Sequence, residues 1–368
     1  MELVNKEFFQ ALNDLIREKG IDKSIVLEAF EQGIISAYRK SNGKENVDVR
    51  VEIDEENHTI NVYERKKVVD VVENPFKEIS LDEARKIKKT AKIDDIIELQ
   101  VTPKNFGRIA IQSAKQRITQ AVIEAERELI YEEFIDRELD LITGLMNRRD
   151  ERNIYINLGR TDGILPIREL LPTEEFEPNR RIKVLISKVE RTTKGPRIYL
   201  SRRNPILIKR LFELEVPEVY DGIVEIKAVA RDAGSRSKVL VQSHHPDVDP
   251  IGACIGPNQQ RINNIINEIN GEKIDLALYD PNPKVLIKNA LSPAQVIAVN
   301  ILDEKEKRSQ VIVPDHQLSL AIGKRGQNAR LAHQLTGWKI DIKSVSDAKK
   351  LNISYTPLNE ELAQEREE

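Results

Sequence analysis

Apolar residues recur at helical spacing in the first forty positions of the chain. Leu12, Leu15 and Ile16 share a face with Phe8, and a second apolar face runs through residues 26–38. Apolar positions three and four residues apart lie on one side of a helix. The pattern therefore predicts two helices, separated at Gly20.

Alternation of apolar and polar residues comes next, and it is typical of half-buried strands. The predicted strands are 47–53, 60–62, 68–72 and 96–101. Ser80 and Glu83 have the spacing of a capping box and predict the start of a short helix between the third and fourth strands. A long helix predicted at 108–134 completes an α+β domain in residues 1–135, and we interpret this helix as a spacer to the next domain.

Between residues 136 and 201 the sequence pattern changes to short runs that are typical of β-strands. The predicted strands are 139–145, 154–158, 163–166, 182–189 and 198–201. Five short strands in so few residues favour a small β-barrel of the OB-fold type. Such barrels bind single-stranded nucleic acid through aromatic platforms and a basic groove. Aromatic residues are sparse here, and the basic ones are equally compatible with RNA contact and with solvated surface: Arg148, Arg149, Arg152, Arg180, Arg181 and Lys183.

A longer pattern occurs twice in the remainder of the chain. Residues 204–278 have the order helix, strand, strand, helix, loop, helix, strand, and residues 292–343 repeat it. Cys254 is a small apolar residue and Trp338 falls on the buried phase of its strand, so we expect both to be core residues rather than a reactive thiol and a base-stacking platform. The last residues, 346–368, are predicted to be an acidic disordered tail, since they are rich in glutamate and lose apolar periodicity.

Each repeat contains the same loop. The second copy is Ile322-Gly323-Lys324-Arg325-Gly326-Gln327-Asn328, and the first copy, 67 positions earlier, is Ile255-Gly256-Pro257-Asn258-Gln259-Gln260-Arg261. Both copies are followed by a predicted helix and then by a predicted strand that contains the triplet Lys-Ile-Asp. Glycines permit a phosphate to approach the backbone, and the following helix offers unpaired N–H groups. This is the design of the KH module, whose G-x-x-G loop clamps the RNA backbone. The chain is thus predicted to be multidomain α+β, with tandem KH domains at 202–280 and 281–345.

The first loop is the weaker copy. Gln259 stands at the fourth position in place of glycine, and Pro257-Asn258 replaces Lys-Arg, although Arg261 could supply some charge. We therefore hypothesise that the second loop grips RNA and that the first only guides it. The candidate RNA-binding residues are Gly323, Lys324, Arg325, Gly326, Gln327, Asn328 and Arg330 in the second repeat, and Gly256, Pro257, Asn258, Gln259, Arg261, Arg231 and Arg236 in the first.

The net charge of the chain alone does not indicate which class of partner it binds. The chain has 58 basic and 61 acidic residues, for a net charge of -3. The distribution is uneven: residues 1–135 carry 22 basic against 27 acidic residues, whereas 201–345 carry 20 against 17. An acidic front and a mildly basic back suit a protein that reserves its back half for RNA.

Several other classes of function lack a signature. A single cysteine excludes an intramolecular disulfide framework and a thiolate zinc cluster. Neither Gly43-Lys44-Glu45 nor Gly323-Lys324-Arg325 continues into the hydroxyl residue of a P-loop. We expect no metal, no cofactor and no catalysis. Neither a signal peptide nor a membrane-spanning run is predicted, so a cytoplasmic location is expected.

The domain order and several motifs resemble the NusA family of bacterial transcription termination and antitermination factors. The motifs are Ala230-Arg231-Asp232-Ala233-Gly234-Ser235-Arg236, Ile251-Gly252-Ala253-Cys254-Ile255-Gly256, Ile322 to Ala332, and Leu335-Thr336-Gly337-Trp338. The resemblance implies a barrel of the ribosomal S-one kind, docking of the N-terminal domain on the core enzyme of RNA polymerase, and contact of the barrel and KH domains with nascent single-stranded RNA. It also implies other antitermination factors as partners.

By the same resemblance, contacts made by acidic repeats that follow the KH domains in some members should be absent. The alternative is a ribosome-associated or RNA-turnover factor, since KH and OB modules also occur in a phosphorolytic exoribonuclease. In that enzyme the KH module precedes the barrel and a catalytic core precedes both. The order in this chain therefore favours the transcription factor.

Overall fold

The computed structural model describes residues 2–41, 47–54, 57, 59–101 and 106–360. The predictions that concern the side chain of Phe8 and residues 43–45 lie outside the described parts. The chain divides into an N-terminal body, formed by residues up to 133 together with 192–196, and a C-terminal body, formed by the others. Each body is described by itself.

The N-terminal body is a four-stranded sheet covered by helices. Its elements are α1 (Glu2–Lys19), α2 (Lys23–Ser41), β1 (Asp48–Asp54), β2 (Thr59–Val69), β3 (Glu78–Ser80), α3 (Leu81–Ile87), β4 (Ile96–Gln100) and α4 (Phe106–Ile135), the last of which continues beyond residue 133. β2 pairs antiparallel with β1 and β4 and parallel with β3. The predicted helices are confirmed. The prediction of a separate strand at 68–72 is wrong, because β2 runs unbroken to Val69 and Val71 is exposed.

The long helix α4 is more than a spacer. Ala114, Ile118 and Val122 are buried in the same core as α2 and β1. A Cβ placed on Gly33 of α2 would lie 2.6 Å from the Cα of Ala114, so the two helices are in close backbone contact. The N-terminal part of α4 therefore completes the core of this body.

A second, smaller core supports the end of β2. Val68, Ile79, Ala84, Ala91 and Ile97 are buried together. Helix α3 begins as the capping spacing predicted, since the N–H of Glu83 donates to the Ser80 hydroxyl at 3.3 Å. Ala84 therefore anchors α3, and Ala91 anchors the segment that joins α3 to β4.

In the C-terminal body, five strands form a closed sheet. They are β5 (Leu141–Arg149), β6 (Asn153–Asn157), β7 (Asp162–Pro166), β8 (Arg181–Thr192) and β9 (Gly195–Ser201), in the spatial order β5-β6-β7-β9-β8. All five strands were predicted within a few residues of their bounds. Some of the basic side chains have protein partners: Arg148 stacks 3.6 Å above the ring of Tyr155, and Lys183 pairs with Glu268 at 2.9 Å.

Two repeats of the same fold follow the closed sheet. The first repeat contains α5 (Ile206–Glu215), α6 (Pro217–Tyr220), β10 (Val224–Asp232), β11 (Arg236–Ser243), α7 (Pro250–Ile255), α8 (Gln260–Glu268) and β12 (Lys273–Leu278). The second contains α9 (Pro283–Ala290), β13 (Ala298–Asp303), β14 (Arg308–Val313), α10 (Leu318–Ile322), α11 (Gln327–Thr336) and β15 (Lys339–Ser344). Each sheet has one antiparallel and one parallel pairing. The second repeat begins at α9, earlier than the predicted residue 292.

The sheet of the first repeat is covered on both faces. Val239 and Val241 pack into the core of their own repeat. Ala230, Leu240 and Ala277 face the other way and belong to the core of the second repeat. The second repeat therefore completes its core with residues of the first, and the two cannot be separated without exposing apolar surface.

The C-terminal segment covers the second sheet in the same manner. Ala298 and Ile312 pack with Ala348 of helix α12 (Val345–Lys350) and with Ile353 and Tyr355. Leu358 is also buried, and its N–H donates to the Ile297 carbonyl at 2.9 Å. The disordered tail predicted for 346–368 is thus wrong over 346–360, because these apolar residues cover a sheet face. Residues 361–368 lie outside the described parts.

Every helix in the described residues is too short or too polar to span a bilayer. The core predictions for Cys254 and Trp338 are confirmed, since both are buried. Burial raises the pKa of the Cys254 thiol to about 12, so this side chain is inert as a nucleophile at neutral pH.

Candidate nucleic-acid interface

The loop of the second repeat, residues 323–326 (the second loop), joins α10 to α11. Gly323, Arg325 and Gly326 all have positive φ angles, of 75°, 54° and 73°. A Cβ on Gly323 would lie 2.7 Å from the backbone N of Asn328, whereas a Cβ on Gly326 would meet nothing within 4 Å. Gly323 is therefore required by close packing of the two helices. Gly326 leaves the outer side of the turn open.

Two cations occupy this turn. Lys324 and Arg325 are exposed, and neither forms an ion pair with any described residue. The turn leads into the N-terminus of α11, a helix of 10 residues whose first N–H groups lack helical acceptors. Free cations beside such a terminus attract an anion, and the bare backbone at Gly326 lets a phosphate approach. The arrangement can bind a phosphodiester.

The neighbouring candidates hold the loop in place. Gln327 and Arg330 both donate to the carboxylate of Asp232 in the first repeat, at 2.6 and 2.9 Å, and Gln327 also donates to the Ser235 hydroxyl. The side chain of Asn328 is buried and donates to the carbonyl oxygens of Leu291 and Ala321. RNA contact by the Asn328 side chain is contradicted by this burial. Its role is to position the loop.

The loop of the first repeat, residues 256–259 (the first loop), has the same backbone conformation without the second glycine. Gly256, Asn258 and Gln259 have φ angles of 72°, 51° and 60°, which match those of the second loop position by position. Pro257, Asn258 and Gln259 are exposed, yet none carries charge. The turn is preserved, while the electrostatic attraction is lost.

The two repeats differ again at Arg261. Its guanidinium pairs with Glu218 at 2.8 Å and donates to the Ala253 carbonyl at 2.7 Å. A Cβ on Gly256 would lie 2.6 Å from the Arg261 side chain, so this side chain lies against the loop and braces α7. Because the Arg261 charge is already paired with Glu218, less of it is available to replace the missing cations, and its RNA contact stays a prediction.

The two arginines of the first hairpin are both paired with carboxylates. Arg231 is fully buried, pairs with the buried Glu272 at 2.9 Å and donates to the Asn204 carbonyl. Arg236 forms two hydrogen bonds with Asp275, at 2.8 and 2.7 Å. The buried Arg231 side chain is inaccessible to RNA, which contradicts its predicted contact. The Arg236 side chain is one-quarter exposed, and its RNA contact stays a prediction. The partners of both arginines lie about forty positions away in the chain, where sequence spacing gives no indication of them.

Two buried cations, Arg202 and Lys238, were missed altogether. Arg202, in the segment between β9 and α5, is paired with the buried Glu174 and with Glu268 at 3.2 Å, and donates to the Lys183 and Glu268 carbonyl oxygens. These contacts fasten the closed sheet to the first repeat. Removing one partner of such a buried pair leaves an uncompensated charge and is strongly destabilising.

Comparisons with known proteins agree with this geometry. Residues 7–128 match the model of the NusA N-terminal domain. Residues 202–279 match the NusA-like first KH domain, and 283–350 match the NusA-like second KH domain. The last match includes α12, in agreement with its packing on the second sheet.

The chain is also similar over almost its whole length to curated proteins named transcription termination/antitermination protein NusA. The Bacillus subtilis protein is 54% identical over 358 residues, which cover 97% of this chain and 96% of that protein. The Halalkalibacterium halodurans protein is 53% identical, covering 95% and 91%, and the Thermus thermophilus protein is 42% identical, covering 99% and 96%. On this identity and coverage, together with the three domain matches, the chain belongs to the NusA family.

Proposed function

We propose that this protein is a non-catalytic transcription elongation factor. Its N-terminal body docks on the core enzyme of RNA polymerase, and its C-terminal body holds the nascent single-stranded RNA, so that pausing, intrinsic termination and antitermination are modulated. The observation that carries the RNA part is the second loop, where Lys324 and Arg325 are exposed and unpaired among the described residues at a turn open at Gly326. The alternative of an RNA-turnover factor is not favoured by the family.

Docking explains how a weak RNA site can be effective. A single KH loop makes few contacts, and its affinity for RNA alone is modest. Attachment to the polymerase raises the effective concentration of RNA at the loop to the order of millimolar. Rigid fusion of the two repeats through Ala230, Leu240 and Ala277 keeps the second loop in a fixed orientation relative to the first.

Domain organisation is a further part of this proposal. We infer that the closed sheet of residues 136–201 is an OB-fold barrel of the ribosomal S-one kind, between an N-terminal domain at 1–135 and KH domains at 202–280 and 281–345. The five strands in closed order support this inference. We also propose a cytoplasmic location and further antitermination factors as partners, both consistent with the family.

A transcription assay on a template with an intrinsic terminator tests the proposal. Changing Lys324→Gln and Arg325→Gln removes two positive charges from the second loop. The matched control is Lys305→Gln with Lys339→Gln, which removes the same charge from exposed positions of the same repeat. We expect the loop variant to lose about tenfold in affinity for single-stranded RNA and most of the effect on termination. The control should behave as the unmodified protein.

Co-purification with core polymerase separates the two halves of the proposal. The loop variant should bind polymerase as the unmodified protein does, because its changes lie in the C-terminal body. A loop variant that still stimulates termination fully would eliminate the second loop as the RNA grip. Failure of the unmodified protein to co-purify with core polymerase would eliminate the docking role.

A further inference from the structure

The N-terminal body is acidic in total, but it contains a concentrated run of positive charge. Residues 85–92 hold five cations and no acidic residue, at the end of α3 and in the segment that follows it. All five side chains are exposed. We name them the α3 basic patch: Arg85, Lys86, Lys88, Lys89 and Lys92.

The fold fixes the backbone beneath these side chains. Ala84 and Ala91 are buried in the small core on either side of the turn. The N–H of Lys88 donates to the Ala84 carbonyl, and that of Ala91 to the Lys88 carbonyl, both at 2.9 Å. The N–H of Lys92 donates to the Asp95 carboxylate at 2.9 Å. The cations therefore project from an ordered segment, and ordering them on a ligand costs only side-chain entropy.

Helix stability accounts for only part of the patch. Cations in the last turn of a helix interact favourably with its dipole, and this explains Arg85 and Lys86. Lys88, Lys89 and Lys92 lie beyond the helix end and gain less from that effect. Three of the five charges thus have no evident structural purpose.

The acidic residues that flank the patch in the chain, Asp82, Glu83, Asp94 and Asp95, form no ion pair with it among the described residues. Asp94 pairs with Lys67 at 2.7 Å, and Glu78 accepts hydrogen bonds from the backbone N–H groups of Glu73 and Asn74. No ion pair among the described residues includes a member of the α3 basic patch. Elsewhere in this body, by contrast, Arg50 is paired with Glu98 at 3.0 Å. The five cations of the patch are thus unpaired among the described residues, whereas Lys67 and Arg50 are paired.

We propose that the α3 basic patch is a second RNA-binding site, which contacts the phosphate backbone without regard to sequence. An RNA strand carries a negative charge on every nucleotide, and contacts of lysine and arginine with phosphate carry no sequence information. The inference rests on the proposed function in taking RNA as the ligand. It extends the proposed function, because the N-terminal body then binds RNA as well as polymerase.

The exposed apolar side chains Ile87 and Ile93 lie next to the cations in the chain. They would suit an acidic protein surface better than a phosphate backbone. The number and density of the lysines favour RNA, and the protein alternative is a separate outcome of the test.

The salt dependence of RNA binding by the full chain tests this site. The patch variant combines Lys88→Gln, Lys89→Gln and Lys92→Gln. The charge-matched control combines Arg17→Gln, Lys115→Gln and Arg117→Gln, which are exposed positions on α1 and α4 of the same body. The probe is an unstructured RNA of about 40 nucleotides, long enough to occupy several sites at once. Each lost phosphate contact lowers the slope of log Kobs against log salt by about 0.7 for single strands, so we expect a decrease of about 2 in the patch variant and none in the control.

Three outcomes are distinguishable. An unchanged slope in the patch variant overturns the proposal. An unchanged slope combined with weaker co-purification with core polymerase also overturns it and assigns the patch to a protein surface. The Lys324→Gln, Arg325→Gln variant, measured in parallel, reports on the second loop independently. A normal slope in that variant would remove the loop from the RNA interface while leaving the patch supported.

Discussion

The first and second loops have one backbone conformation and two different chemistries. Both begin with a glycine at a φ of 72° or 75° and continue through two left-handed residues into a helix. In the second loop the exposed positions carry Lys324 and Arg325, and in the first they carry Pro257 and Asn258. The shape of the turn is therefore independent of its charge.

Gln259 shows what imposes that shape. A residue with a side chain adopts the left-handed conformation at a cost of about 1–2 kcal/mol, yet Gln259 has a φ of 60°. The flanking helices α7 and α8 must therefore dictate the turn. The second glycine of the motif is dispensable for the fold of the loop, and its value in the second loop is the open approach to the backbone.

The largest expected effect distinguishes the two leading glycines. Gly323→Ala would place a Cβ 2.7 Å from the backbone N of Asn328, whereas Gly256→Ala would meet the side chain of Arg261. The backbone of Asn328 cannot move aside as readily as the Arg261 side chain can. We expect Gly323→Ala to cost about 3–5 kcal/mol of local stability and Gly256→Ala about 1–3 kcal/mol, since both also carry the strain of a glycine-only conformation.

Native-state hydrogen exchange of α11 and α8 measures these two losses separately. Each variant serves as the control for the other, because the substitution and the backbone conformation are the same. Equal losses in the two helices would contradict the assignment of Gly323 to close packing.

Sequence patterns predicted the elements of both repeats, because Ile262, Ile265 and Ile269 or Leu331 and Leu335 have unmistakable helical spacing. They could not predict which charges are free. Arg231 and Lys324 are equally basic in sequence, but Glu272, 41 positions away, neutralises Arg231 within the interior. Exposure is a property of tertiary packing, and it separates RNA-binding candidates from structural ion pairs.

The C-terminal segment was mispredicted for a related reason. Ile353, Tyr355 and Leu358 are too few and too irregularly spaced to indicate an element, and glutamates dominate residues 360–368. Their burial depends on the open face of the second sheet, at Ala298 and Ile312. A segment that covers a pre-existing surface needs only a few apolar residues. The α3 basic patch was similarly hidden, because the average charge of residues 1–135 is negative.

An intermediate effect concerns RNA affinity. Changing Lys324→Asp and Arg325→Asp should weaken the binding of single-stranded RNA at least 30-fold, about 2 kcal/mol, because it replaces two attractive charges with repulsive ones. Asn258→Asp with Gln259→Asp should weaken binding less than about fivefold, since that loop supplies no charged contact to lose. Fluorescence anisotropy at constant salt measures both.

The second-loop variant and the first-loop variant change the net charge of the protein by different amounts, so a third variant is needed as a control. Lys305→Asp with Lys339→Asp alters the net charge by the same amount as the second-loop variant, at exposed positions of the same repeat. Its loss should be small. Similar losses in the first and second loops, after this correction, would remove the asymmetry between the repeats.

The smallest expected effect isolates the fourth position of the loop. Gln259→Gly relieves a left-handed strain of about 1–2 kcal/mol but adds about 0.4–1 kcal/mol of unfolded-chain entropy. The first repeat should therefore gain about 0.5–1 kcal/mol, seen as slower exchange of the α8 amides. Gly326→Gln should cost the second repeat a similar amount, because a Cβ there meets nothing within 4 Å and only the backbone strain remains. A loss of stability in Gln259→Gly would show that the glutamine side chain makes a stabilising contact that outweighs its strain. In that case the two loops would differ in packing as well as in charge.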